Sequence, residues 1–399
     1  RTYIVLGIET SCDDTSVCLY DRRKGSLRPE LLASLKIRAD NSVDGGIVPT
    51  KALSHHQANL GILVQHLLSW RYPVIPDLIC VTRGPGMRGS LAAGTEFAKG
   101  LAVALNIPII GVHHMLGHLL SARMVYSRRK SHGVGIANFP YVTMLVSGGH
   151  TMLVLSRSLT DHEILADTVD IAIGDAIEKC ARFIGLEMRQ QNSYGPSLEQ
   201  PETPPEELKS LSLNVAMRNK GTRTGSCAFS FAGYLPMVER SVQEVFGGNL
   251  DGISELQRAK IAYEIQQAMF TQIIERVKYV LDTKLDDEMK AKVKDIVLAG
   301  GVASNQELRH MFRTQLQTYS PYPNTDATKP DDTETGPGIP KYNIFSPPPA
   351  LCTDNSEMIA WAGIELWESQ KLRSELSMEP LPEWPLENFT TNVDGWTTE

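Results

Sequence analysis

Two histidines four residues apart, His114 and His118, follow a short apolar run at residues 107–112 that reads as a strand. If the chain turns into a helix at His113, this spacing puts both imidazoles on one helix face, where their ring nitrogens can grip a single metal ion. Two histidines alone rarely hold a metal, and an isolated pair of this kind is about as often a packing or surface feature. The zinc-protease pattern His-Glu-x-x-His is set aside, because Met115 stands where its general-base glutamate would be. A carboxylate for the third position is offered by Asp354, in Cys352-Thr353-Asp354-Asn355 just before an amphipathic helix starting at Ser356. An aspartate at a helix start is more often a cap.

Around this pair the chain places glycines and small polar residues at turns. Glu9-Thr10-Ser11-Cys12-Asp13-Asp14 separates β-type runs at 3–8 and 16–20, and its amides and hydroxyls can face a phosphate while Asp13 positions a metal or water. The pattern returns at 141–155, where Ser147-Gly148-Gly149-His150 joins two strands and paired glycines permit positive φ and close phosphate approach. Two such hairpins, one early in each half, predict duplicated lobes facing each other across a nucleotide. Arg83-Gly84-Pro85-Gly86-Met87-Arg88-Gly89-Ser90 lies between a strand and a helix but lacks the Walker ending, so a ligand loop and a plain tight connection fit equally. Ala299-Gly300-Gly301-Val302-Ala303-Ser304-Asn305 joins a strand to a helix and suits packing under an adenine or ribose. A helix at 171–186 carries Asp175 and Glu178, and 255–282 reads as a long core helix. His55, His56 and His66 read as surface or packing residues.

With 399 residues, 42% hydrophobic and 21% charged, the chain can build two lobes with one core each. No apolar run reaches the roughly 20 residues that span a bilayer. Six cysteines without a CxxC pair favour a reducing compartment over a disulfide framework. The first residue is Arg1, which leads to the expectation that a leading segment was removed. A net charge of -7 argues against wholesale adhesion to nucleic acid, yet two stretches, 97–160 and 209–237, carry basic but no acidic side chains. Solvated loop charge is the commoner cause, and a phosphate-backbone footprint is the alternative.

Taken in order, Gly7-Ile8-Glu9-Thr10-Ser11-Cys12-Asp13, Val112-His113-His114-Met115 with His118, Leu145-Val146-Ser147-Gly148-Gly149-His150-Thr151, the 299–305 motif and Cys352-Thr353-Asp354-Asn355 resemble the TsaD family of tRNA threonylcarbamoyltransferases. The resemblance implies an α/β, actin-like ATPase (ASKHA) fold of two related lobes with a nucleotide cleft between them. The N-terminal lobe is expected at 1–133, completed by a closing helix in 356–399, and the C-terminal lobe at 134–355 with a disordered insertion at 319–342. It further implies one divalent metal ion, zinc or iron, on His114, His118 and Asp354. An adenine nucleotide (threonylcarbamoyl-AMP, ATP or AMP) is implied at Asp13, Leu145, Val146, Ser147, Gly148, Gly149, Glu178, Gly195, Glu199 and Asn305.

The activity so implied is transfer of threonylcarbamoyl from threonylcarbamoyl-AMP to N6 of the adenosine 3′ of the anticodon in tRNAs reading ANN codons. Arg128, Arg129, Arg218, Lys220 and Arg223 are then candidates for tRNA phosphates, and no residue stands out as a general base. A threonylcarbamoyl-AMP synthase would supply the donor, and a homodimer with no membrane association is expected. The insertion and the missing start point to a mitochondrial homologue. This sequence departs from the family at Ser193-Tyr194-Gly195-Pro196, against Tyr-Pro-Gly-Gly-Pro, and at Ser230-Phe231-Ala232-Gly233-Tyr234-Leu235, against Ser-Phe-Ser-Gly-Leu-Lys. The alternatives are a small-molecule kinase of the same fold, a zinc peptidase, and a partner-dependent nucleotide-binding scaffold.

Overall fold

The apolar run at the start of the chain forms β1 (Thr2–Glu9), which folds back antiparallel into β2 (Thr15–Arg23), with Glu9 opposite Ser16. β3 (Glu30–Ile37) extends the meander, while β4 (Leu78–Gly84) and β5 (Ile109–His113) add in parallel on the other side, giving the order β3-β2-β1-β4-β5. Side chains alternate across a strand, so Leu6, Ile8, Val17, Leu19, Ile79 and Val81 share one face. That face forms a core with Leu60, Leu63 and Val64 of α1 (Pro49–Gln65) and with Ala98 and Ala102 of α2 (Arg88–Leu105). β5 runs directly into α3 (His114–Arg128).

The computed structural model describes residues 2–23, 29–40, 46–71, 74–128, 137–186, 207–215, 227–317, 319, 342–391 and 393–398. They fall into two units, one of Arg1–Ala137, Arg157–Glu163 and Leu351–Glu399, the other of Asn138–Ser156 and Ile164–Ala350. The second opens on its own hairpin, β6 (Tyr141–Val146) with β7 (Thr151–Ser156). β8 (His162–Thr168), the two-residue β9 (Ala228–Phe229), β10 (Asp295–Ala299) and β11 (Asn343–Phe345) complete the order β11-β10-β6-β7-β8-β9. Leaving out β9, this repeats the first sheet: three meander strands, then two more, with β10 parallel to both β6 and β11.

The second unit's helices are α4 (Ile173–Phe183), α5 (Tyr234–Phe246), α6 (Glu255–Thr283), α7 (Asp287–Lys292) and α8 (Gln306–Leu316). Of the expected insertion, residues 320–341 lie outside the described residues, and Tyr342 beyond them is buried and donates its N–H to the Gln317 carbonyl at 3.2 Å.

The chain then returns to the first unit as α9 (Ser356–Gln370), which lies against Gly7 of β1 and Cys80 of β4 on the face away from α1, and against α3 through Met358 and Gly117. The closing segment is not helical to its end. Lys371 takes the left-handed conformation (φ +54°), three prolines follow, and the described residues of 372–398 form a strap whose ends pair as β12 (Leu372–Ser374) and β13 (Trp396–Thr398). Among the described residues no helix is long and apolar enough to cross a membrane, and all six cysteines are free.

Candidate functional site

α3 begins where its first turn is capped by the residue before it. His113 Nδ1 accepts the Met115 N–H at 3.1 Å, which leaves its Nε2–H to donate to the Trp384 carbonyl at 2.9 Å. From this start His114 and His118 fall one turn apart, ring centroids 4.9 Å from each other, while Met115, Leu116, Leu119 and Leu120 are buried. Asp354 arrives from the loop before α9. The cap of that helix is Asn355, whose Oδ1 accepts the Met358 N–H at 2.9 Å, so the Asp354 carboxylate is left to the histidines. Its Oδ1 lies 3.1 Å from His118 Nε2 and 3.4 Å from His114 Nε2, and the three donor atoms lie within 4.8 Å of one another.

A second carboxylate stands behind His114. Glu9, almost fully buried at the end of β1, brings Oε2 to 3.3 Å from His114 Nδ1 and takes the Thr82 hydroxyl on the same oxygen. Its Oε1 accepts the Ser11 N–H at 2.6 Å, and Ser11 Oγ lies 3.2 Å from the same His114 nitrogen. Nδ1 is thus turned toward Glu9 and Ser11, and Nε2 toward Asp354. Burial alone would lower His114, but the Asp354 and Glu9 carboxylates outweigh it and hold its pKa at about 10. Burial would likewise raise Asp354 and Glu9, and the imidazoles instead hold both below the ordinary carboxylate range. This pocket of negative field keeps a proton on an imidazole, so it suits a divalent cation, and imidazole, imidazole and carboxylate are a donor set that zinc and iron both accept.

The 10–14 turn is braced from several sides. Buried His56 holds it by two contacts, Nε2 to the Cys12 carbonyl at 2.9 Å and Nδ1 to the Thr15 hydroxyl at 2.8 Å, and burial lowers its pKa. Asp14 pairs with Lys36 at 2.5 Å, and the same ammonium donates to the Asp354 carbonyl at 2.8 Å. Asp13 sits in this turn beside the Cys12 thiol, which burial first and then the Asp354 and Asp13 charges push far up.

In the second unit the 147–150 turn closes on itself, Ser147 N–H to the His150 carbonyl at 2.8 Å and His150 N–H to Ser147 Oγ at 3.0 Å. Gly148 and Gly149 are exposed with nothing near the place of a Cβ, and neither adopts positive φ. Their use is therefore open space above the main chain rather than conformational freedom. The glycine that needs its freedom is Gly300, with φ +93° and the Val146 carbonyl 2.3 Å from where a Cβ would stand.

The start of α4 packs on the same turn, Gly174 N–H to the Ser147 carbonyl at 3.2 Å, and carries Glu178, half-buried and 3.7 Å from Arg182, with burial raising its carboxyl. Asn305 caps α8 through the Leu308 N–H at 3.0 Å and donates to Gln266 at 2.9 Å, so much of its side chain is committed to the fold. Leu145 and Val146 are fully buried strand residues; a ligand at this edge meets their main chain, not their side chains. Gly195, Glu199, Arg129, Arg218, Lys220 and Arg223 lie outside the described residues, as does the side chain of Arg128 at the end of α3.

Sequence reasoning did not single out Glu9, although a charge ending an apolar strand, in step with Gly7 on the α9 face, is a signal for it. Nor did it single out Thr82 or Lys36, whose roles depend on pairings far along the chain, or Asn355, whose cap is local; the Ser11 hydroxyl, read as able to face a phosphate, lies 3.2 Å from His114 Nδ1. His56, read as a packing or surface residue, is a buried hydrogen-bonding brace.

Residues 30–361 match the sequence model for TsaD, tRNA N6-adenosine threonylcarbamoyltransferase. Over its whole length the chain is 35% identical to the mitochondrial tRNA N6-adenosine threonylcarbamoyltransferase of Schizosaccharomyces pombe, of which it covers 90%. It is 32% identical to the enzyme of that name from Neisseria meningitidis serogroup A over 96% of this chain and 98% of that one. The probable mitochondrial enzyme of Arabidopsis thaliana is also 32% identical, over 91% of this chain and 68% of that one. Identity sustained end to end with fungal, bacterial and plant enzymes of one name decides against a kinase or a peptidase, and the chain belongs to the TsaD family of tRNA N6-adenosine threonylcarbamoyltransferases, metal-dependent tRNA-modifying enzymes with the actin-like ATPase fold.

Proposed function

We propose that His114, His118 and Asp354 hold one divalent metal ion, zinc or iron, beside which threonylcarbamoyl passes from threonylcarbamoyl-AMP to N6 of the adenosine 3′ of the anticodon in ANN-decoding tRNAs. The observation that carries this is the division of labour at α9: Asn355 caps the helix, and Asp354 Oδ1 reaches both histidines. When bound, the ion supplies Lewis-acid polarisation of the substrate's oxygens. Glu9 and Ser11 hold His114 with Nε2 forward, and Lys36 fixes the Asp354 main chain.

The Gly148 and Gly149 amides offer an unobstructed approach to the donor's phosphate, with Glu178 and the 300–305 turn as the neighbouring surface for its nucleoside part. The same surface suits ATP or AMP. In the reaction the N6–carbon bond forms, the carbon–oxygen bond to phosphate breaks, and AMP leaves with that oxygen while the amine's proton passes to phosphate or water. Among the described residues no side chain stands out as a general base, and positioning of donor and acceptor is the contribution this reading assigns to the site.

The basic residues Arg128, Arg129, Arg218, Lys220 and Arg223 are proposed to meet tRNA phosphates. A threonylcarbamoyl-AMP synthase supplies the donor, the enzyme works in mitochondria, as the names of its fungal and plant relatives suggest, and it assembles as a homodimer. The test is incorporation of labelled threonine into an ANN-decoding tRNA transcript with threonylcarbamoyl-AMP supplied. Transfer by the wild type that is lost in His114→Ala and Asp354→Ala supports the reading, and transfer retained in both overturns the metal assignment.

A further inference from the structure

The strap at residues 372–398 lies beyond the family match, which ends at 361, and its main chain reaches the metal centre's surroundings by two routes. The first runs through His113. Its Nε2–H is held by the Trp384 carbonyl at 2.9 Å, its ring lies 4.8 Å from that tryptophan's ring, and its other nitrogen caps the turn on which His114 sits. The second runs through the glycine-rich turn after β4. Leu381 N–H donates to the Arg83 carbonyl at 2.8 Å, and Gly86 N–H donates to the Pro382 carbonyl at 3.1 Å. Next to it, Met87 N–H holds the Ser11 carbonyl at 2.9 Å, and Ser11 Oγ is one of the two groups facing His114 Nδ1. The fit is close enough that a Cβ on Gly84 would stand 1.9 Å from the Leu381 carbonyl oxygen.

Arg83 locks the two together. Its buried guanidinium donates to the Glu379 carbonyl and to the Asp394 carbonyl, both at 2.9 Å, and lies over the Trp384 ring at 5.6 Å. A strap that only covered apolar strand ends would have no need of a buried cation tying its main chain at Glu379 to its main chain at Asp394. The glycine-rich turn also finds its use here, since its main chain is engaged by the strap on one side and by Ser11 on the other.

We propose that the strap is a positioning element of the metal centre, with Arg83 and His113 as positioning residues that set the orientation of His114. The proposal rests on the reading of His114, His118 and Asp354 as metal ligands. Its test is titration of the metal-free full chain with Co²⁺, followed by visible absorption, which reports ligand geometry, alongside thermal melting without metal. Wild type is expected to bind one equivalent, lost in His118→Ala; a wild type that binds none removes the metal reading itself. Arg83→Lys, which keeps the charge but loses the fork, and His113→Phe, which keeps the ring but loses both nitrogens, are each expected to weaken Co²⁺ binding about tenfold and to alter its spectrum.

Ser374→Ala removes a strap contact on neither route, the 2.9 Å bond from Gly111 N–H, and is expected to lower the melting temperature while leaving affinity and spectrum unchanged. If Arg83→Lys and His113→Phe, or whichever of them folds, melt lower but bind Co²⁺ with wild-type affinity and spectrum, the strap is a cover and the proposal falls.

Discussion

Glu9 and His114 meet across 105 residues of sequence, carboxylate Oε2 to imidazole Nδ1 at 3.3 Å, and this contact decides which nitrogen of His114 faces Asp354. A carboxylate behind a ligating histidine fixes its tautomer and raises its basicity. Glu9→Gln keeps the shape and removes the charge. It is expected to weaken metal affinity by about 10- to 100-fold with the fold intact, measured by equilibrium dialysis against a metal buffer.

At α9 two adjacent residues are expected to separate stability from binding. Asn355→Ala removes the cap and is expected to cost about 1 kcal/mol in denaturant unfolding, with metal still bound. Asp354→Asn is expected to abolish tight metal binding at little cost to the helix. Equal effects of both on both readouts would contradict the division of labour.

His162 gives the strap a pH dependence. Burial, against the support of the Leu159 carbonyl and the Asp161 charge, lowers its pKa to about 4, and its ring stacks on Phe389 at 6.0 Å. An unfolded histidine titrates near 6.5, so between these values the unfolded chain binds more protons than the folded one. Stability from this residue is therefore complete above about pH 6.5 and is lost as pH falls toward 4. Melting temperatures across that range are expected to fall less steeply in His162→Gln than in the wild type.

Gly149→Val is expected to leave the melting temperature unchanged, because no atom lies within 4 Å of the added carbon. It should nevertheless weaken AMP binding about tenfold by screening the turn's amides, the equivalent of one charge-assisted hydrogen bond of about 1.5 kcal/mol. Calorimetric titration with AMP checks this, and unchanged affinity would move the phosphate elsewhere.

The parts of the fold legible in the sequence are those with a local cause. The hairpins at 9–15 and 146–151 announce themselves by β-branched runs around small polar turns, and α6 by helical periodicity over its full length. β3 escaped notice because, as an edge strand, it is only partly buried on either face and shows little alternation. Gly148 and Gly149 were correctly marked as a turn, and of the two reasons read from them, open space above the main chain holds while positive φ does not. The histidine pair was legible from spacing, whereas the choice between Asp354 as cap and as donor was not, because it turns on which of two neighbouring side chains reaches the Met358 amide. The strap is the extreme case. It works through carbonyls of Glu379, Pro382, Trp384 and Asp394, and a carbonyl is the same in every residue.

The first unit is assembled from both ends of the chain, with nearly all of the second enclosed between Ala137 and Leu351. A ribosome therefore delivers His114 and His118 long before Asp354, and the Glu379 and Asp394 carbonyls that hold Arg83 later still. Among the described residues the enclosed unit has all its strands in hand by Phe345 and can collapse during synthesis. Metal uptake by all three proposed donors thus has to wait until Asp354 has been made, and a translation product that stops before it keeps the two histidines without their carboxylate.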